Sequence, residues 1–230
     1  MYTIPSKLLS DGATNAKTKK NGIHTLILYL APFTQNSKGI NLCPKATKGC
    51  AESCLFTAGR GAFSNVAKSR MNKTEYFLAD RNAFLQQLAS EINKEAKKHT
   101  QIVVRLNGTS DVKLAEMLTA KFEIPSNVIF YDYTKIVSKA GNRVLQSGHT
   151  YIVTYSFNEG TDSISEAKQV LANGGNVAVV FRKELPSEFL GHSVVDGDAS
   201  DIVMLDHTST ILGLKAKGKA KKDTTGFVIN

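Results

Sequence analysis

"QIVVRLNGTSDVKLAEMLTAKFEIPSNVIFYDY", residues 101–133, places two β-branched and aromatic runs on either side of a helical pattern. QIVVRL at 101–106 and NVIFYDY at 127–133 are apolar on both faces, as suits strands covered from two sides. VKLAEMLTAKF at 112–122 lies between them as a helix. Strand, helix and strand in that order form a βαβ unit, whose crossover demands parallel pairing.

The same rhythm runs through the rest of the chain. HTLILYL at 24–30, TYIVTYS at 150–156, NVAVVF at 176–181 and DIVMLD at 201–206 read as further strands. TKIVSKAGNRVLQ at 134–146 and DSISEAKQVLANG at 162–174 read as helices, the second stopped by Gly174-Gly175. A long amphipathic helix is expected over 74–99, capped by Thr74 or Asn72, with Tyr76, Phe77, Phe84, Leu85, Leu88 and Ile92 on its apolar face. Six strands in this pattern predict the α/β class. A six-stranded parallel (βα) partial barrel is expected, with an open doubly wound sheet as the alternative.

The 230 residues, 42% of them hydrophobic, suffice for one sizeable core, so a single α/β domain over 1–230 is expected. No apolar run approaches the roughly 20 residues of a membrane helix, and no membrane partner is expected. MYTIPSKLLSDGATNAKTKKNG at 1–22 lacks the charge-then-apolar order of a secretory signal, which predicts a cytoplasmic setting. The formal charge of +9 favours a polyanionic partner such as nucleic acid, or a phosphate-bearing small molecule. Lysines gather at Lys17, Lys19 and Lys20, and again in the basic segment GLKAKGKAKK at 213–222. The alternative for such runs is a merely solvated face.

All three cysteines, Cys43, Cys50 and Cys54, fall within NLCPKATKGCAESCLFTAGRG at 41–61, the loop that follows the first long strand. An odd number of thiols among Pro, Gly and Lys suits neither a disulfide framework nor a core. Three thiolates can hold a [4Fe–4S] cluster with one iron left open. Zinc is the alternative metal; it needs a fourth ligand, for which His207 is the candidate. Lys45, Lys48 and Arg60 would support the thiolate charge.

Parallel βα folds place ligands at the carboxyl ends of their strands. Asn107, Asp111, Asp132, Tyr155, Arg182 and His207 fall at such ends. Arg182 and Lys17 are candidates to hold an anion, Asn107 and Asp111 to orient polar atoms, and Tyr155 or His207 to move a proton. Asp132 is a further candidate ligand-binding residue. VVDGDASD at 194–201 reads as an Asx turn or a cation loop.

A cysteine loop after the first strand of a βα partial barrel resembles the radical S-adenosylmethionine enzymes, although the cysteine spacing differs and LNGTSD stands in place of their glycine-rich stretch. That resemblance implies S-adenosylmethionine on the open iron. A broader resemblance is to the phage gene product eighty-eight family. It rests on the ordered blocks NAKTKK, LYLAPF, NLCPKATKGCAESCLFTAGRG, VRLNGTSD, FYDYTK, VAVVF, DGDASD and GLKAKGKAKKDTTGFV. It implies a phage or prophage protein working in the infected host cell, with a cysteine-bound metal centre.

Two functions are therefore expected. One is an iron–sulfur protein, in one version an enzyme acting at the open iron. The other is a nucleic-acid-binding protein with a structural metal centre.

Overall fold

The computed structural model describes residues 2–12, 22–200 and 202–230. Lys17, Lys19, Lys20 and Asp201 lie outside the described residues. In chain order the elements are β1 (Leu9–Asp11), β2 (His24–Leu28), α1 (Lys48–Glu52), α2 (Ser64–Ala79), α3 (Arg81–Ala96), β3 (Ile102–Arg105), α4 (Leu114–Thr119), β4 (Val128–Thr134), β5 (Gly141–Val144), β6 (Thr150–Ser156), α5 (Ser163–Ala172), β7 (Val177–Phe181), β8 (Glu188–Phe189), β9 (His192–Asp196), β10 (Ile211–Lys215) and β11 (Val228–Ile229). The class is mixed α/β, with an eleven-stranded, mostly parallel sheet that does not close. The chain divides into two compact units: Met1–Pro44, Phe63–Asp132 and Arg143–Tyr151 form the first, and Lys45–Ala62, Tyr133–Asn142 and Ile152–Asn230 the second.

In the first unit β2, β3 and β4 pair in parallel, with β1 antiparallel on β2. The expected strands at 24–30, 101–106 and 127–133 all form, a little trimmed or shifted. The helix expected over 74–99 is instead two. Asp80 turns out of helical geometry (φ −138°, ψ 84°), and its carboxylate accepts the Ala83 N–H at 2.9 Å, capping α3. Thr74 does not cap; its hydroxyl donates to Arg70 O and accepts the Ala31 N–H at 2.8 Å. The expected apolar face is nonetheless the buried one, with Phe84 edge-on to both Tyr76 and Phe77. Leu88 is fully buried on that face. Leu88→Ala should cost about 2–5 kcal/mol, read as a lower urea midpoint with an unchanged slope.

In the second unit β7 lies beside β10 along its whole length, and β10 beside β9, all parallel. β6 and β11 share the other edge of β7: β6 pairs with Val177 and Ala178, β11 with Val180 and Phe181. The chain's last residues thus fill the place where β6 peels away. α5 covers this sheet, burying Ala167, Val170 and Leu171 with Tyr155, Val177, Val179 and Ile211.

Two expected elements are corrected. Of the strand expected at 201–206, the described residues 202–206 form none; Val203–Leu205 make a 3-10 turn, and the strand lies later, at β10. The helix expected over 134–146 is replaced by a 3-10 turn at Val137–Lys139 and by β5. Gly141, at φ 109°, takes a conformation that no helix uses.

Candidate nucleic-acid interface

The first unit keeps its strand-end polar residues for itself. Asp132 is buried, and its carboxylate accepts Asn107 N at 2.7 Å, Asn107 Nδ2 at 3.0 Å and Tyr151 Oη at 2.9 Å. Burial pushes Asp132 up to about 6, offset in part by the Arg105 charge and these donors. Burial, with Asp132 beside it, also raises Tyr151 well above the ordinary phenol value. Asn107 Oδ1 accepts Ser110 Oγ at 3.0 Å and Val112 N at 2.9 Å, which folds the turn into α4. The Asp111 N–H donates to Leu42 O at 2.8 Å. Asn107, Asp111 and Asp132 are thus gathered in one unit, with Asn107 and Asp132 committed to internal bonds.

The second unit gathers cations on its surface. In Lys215–Lys222 the alanines Ala216 and Ala220 are buried with Phe227 and Val228, four residues apart, and the lysines between them face out. The small side chains let the backbone lie against the core, so each lysine stem starts at the surface. Lys215, Lys217, Lys219, Lys221 and Lys222 are all exposed. Against this segment packs the 45–62 loop: a Cβ on Gly218 would meet Ala58 Cβ at 2.8 Å. The loop adds exposed Lys45, Lys48 and Arg60.

The loop is anchored by Glu159. Its carboxylate accepts Thr47 Oγ1 at 2.7 Å and Gly49 N at 2.6 Å, while Thr47 Oγ1 caps α1 by accepting Cys50 N. Arg182 anchors the lysine segment: Nη1 donates to Lys221 O at 2.7 Å, Nη2 to Asp223 O at 2.6 Å, and Nε to Asn230 Oδ1 at 2.6 Å. Its partners are carbonyls, so its positive charge persists beside Lys222 in a shallow open hollow. Asp198 answers one lysine, meeting Lys217 Nζ at 2.6 Å. It belongs to an Asx turn in which Asp198 N donates to Asp196 Oδ1 at 2.8 Å.

The cysteines correct the cofactor expectation. All three are half-buried thiols outside any disulfide, and among the described residues no three metal-ligating groups that include a cysteine lie within 4.8 Å of one another. Cys43, in the first unit, donates to Thr109 O at 3.5 Å. In the second unit Cys50 packs against the Ala216–Phe227 cluster. Cys54 stands four residues later, but Ser53 has already ended the helix and Cys54 is extended (φ −57°, ψ 141°). Helix spacing therefore fails to stack the two thiols. The [4Fe–4S] cluster, the S-adenosylmethionine on its open iron and the zinc alternative all required sulfurs converging on one point. These expectations are withdrawn.

The remaining candidates scatter. Tyr155 points toward α5, its Oη donating to Glu166, and burial with that bond raises it far above the ordinary phenol value. His207 precedes β10, at the amino end of a strand, where its carbonyl accepts Asn176 Nδ2 at 2.7 Å. Its expected strand-end position followed from the misplaced strand at 201–206.

Residues 7–230 match the family described as Gene product 88. The chain belongs to this phage family. No curated protein and no solved structure matched it. In this Gene product 88 chain, Glu159, Thr47 and Gly49 organise the basic face, and sequence reading passed over all three. Thr47 ahead of a short helix was a legible capping signal. Glu159 was not, because its partners lie more than a hundred positions earlier. Among the described residues no helix is long and apolar enough to cross a membrane.

Proposed function

We propose that this Gene product 88 protein binds nucleic acid through the phosphate backbone, using the lysine segment 215–222 and the 45–62 loop packed on it. The observation that carries the reading is the pairing of buried Ala216 and Ala220 with outward lysines on a segment held by Arg182. Five lysines, one of them paired with Asp198, stand on a backbone held by Arg182 and gather their charge without the ordering cost that a free tail incurs. Lys45, Lys48 and Arg60 widen the same face. No base-reading motif accompanies them, so binding is expected to be indifferent to sequence.

Fluorescence anisotropy with labelled single-stranded and duplex DNA and with RNA tests this. Affinity should fall steeply with salt, with a duplex slope near −0.9 per phosphate neutralised. Replacing Lys217, Lys219, Lys221 and Lys222 together by Ala should flatten that slope by roughly 3 to 4 and weaken binding at least about tenfold. Retention that ignores salt, or a quadruple variant that binds as well as the parent, would refute the proposal.

A further inference from the structure

The first unit carries a second cluster of chemistry, remote in sequence from the cysteines. His24 begins β2, and it pairs with Ile102 at the start of β3. β3 is entered directly from the end of α3, so the residues that leave α3 are returned to the side of His24. The exit is tight: Lys97 keeps helical geometry, Lys98 N donates to Glu95 O at 3.0 Å, and His99 N to Ala96 O at 3.4 Å. Both bonds span three residues, so they tighten the turn that follows the helix and carry His99 back beside Glu95. His99 stacks on His24 with ring centroids 4.1 Å apart and planes at 9°. One ligand atom from each of His24, Glu95 and His99 lies within 4.8 Å of the other two.

A second observation distinguishes this cluster from a stacked pair that happens to lie near an acid. Among the described residues, Nε2 of His24 is buried with no hydrogen-bond partner. The nearest Glu95 oxygen is 3.8 Å away, beyond hydrogen-bond reach. A buried polar nitrogen left unanswered is costly, and a cation between it and the carboxylate would answer both.

We propose that His24, Glu95 and His99 bind a divalent transition-metal ion that clasps the carboxyl end of α3 to the start of β2. Two imidazole nitrogens and one carboxylate oxygen suit a borderline first-row cation, with water completing the shell. Metal–ligand bonds of about 2.0–2.2 Å draw the donor atoms roughly 1 Å closer than they now stand. The two imidazole planes, now stacked at 9°, must turn out of parallel for both lone pairs to meet one ion, and rotation of the partly exposed side chains supplies that movement. Lys98 Nζ stands 2.9 Å from Glu95 Oε1, whereas Oε2 is the oxygen that faces His24, so the carboxylate can offer Oε2 to the ion. Asp11 adds a favourable field at His24, and Lys7 opposes it. The site is independent of the basic face, and its failure leaves the nucleic-acid proposal standing.

Cobalt(II) titrated into the untagged full chain is the test. One equivalent should bind with visible d–d absorption, lack the intense sulfur-to-cobalt band, and raise the thermal midpoint. His99→Phe keeps a ring stacked on His24 and removes the nitrogen; Glu95→Gln keeps the shape and removes the charge. Each should weaken cobalt binding at least about tenfold. The Cys43→Ser, Cys50→Ser, Cys54→Ser triple variant should bind as the parent does. Binding that survives H99F and E95Q, binding that disappears in the triple variant, or no binding below millimolar cobalt would each overturn the proposal.

Discussion

Asp132→Ala should destabilise the first unit by about 3–5 kcal/mol, the largest loss expected from any single polar side chain of its strand ends. The carboxylate is buried and answers two donors of Asn107 and the phenol of Tyr151, with the Arg105 charge close by. Truncation strips the acceptor from the Asn107 N–H, from the Tyr151 hydroxyl and from one Asn107 Nδ2 proton, the other still going to Val112 O, and each stranded donor incurs its desolvation cost. Asp132→Asn separates charge from shape. In the folded protein the acid sits near 6, above its ordinary 3.8, so the native state holds this proton more tightly than the unfolded chain. The buried charge therefore weakens the fold above about pH 6, and that penalty fades as pH falls toward 4. The difference between those values corresponds to about 3 kcal/mol. Parent stability measured against Asp132→Asn should accordingly rise as the pH is lowered through this window. Urea midpoints at several pH values read it directly, and parallel curves for the two proteins would contradict the assignment.

Gly49→Val should be the most damaging single change to the basic face. Gly49 is buried where α1 meets the end of the chain, and a side chain there would fall on Thr225 Oγ1, 2.7 Å from Phe227 Cβ and 2.8 Å from Glu159 Oε1. Its backbone is not in the left-handed region, so the penalty is one of space alone. Overpacking of this kind costs about 1–3 kcal/mol. The Glu159 contacts with Thr47 Oγ1 and Gly49 N would loosen with it, releasing the loop from the lysine segment. DNA affinity at low salt should drop alongside the thermal midpoint, whereas a surface change such as Lys168→Ala should alter neither. A Gly49→Val protein with parental melting and parental anisotropy would remove the loop from the account.

How much of this was legible in the sequence differs by element. The strands of 101–106, 127–133, 150–156 and 176–181 were, because each is apolar on both faces and bounded by breakers. DIVMLD has a similar composition, yet its Val203–Leu205 make a 3-10 turn, and β10 was hidden because ILGLK ends in the lysine run. The split between α2 and α3 was written in Asp80, a capping residue inside an otherwise continuous apolar pattern. The cysteines misled for a related reason. Their closeness in sequence suggested convergence, yet Cys50 turns to an apolar cluster and Cys54 leaves the helix after Ser53.

By itself the sequence determined the α/β class, the parallel strands, the apolar face of the helical segment and the place of the lysines. All of these follow from local periodicity and composition. Only the tertiary structure decided that Glu159 would hold the 45–62 loop, that Arg182 would fasten the lysine segment, and that His24 would meet Glu95 and His99. Those partners are separated by tens of residues, and what joins them is strand register and the return of the chain from α3 into β3, which no local pattern encodes.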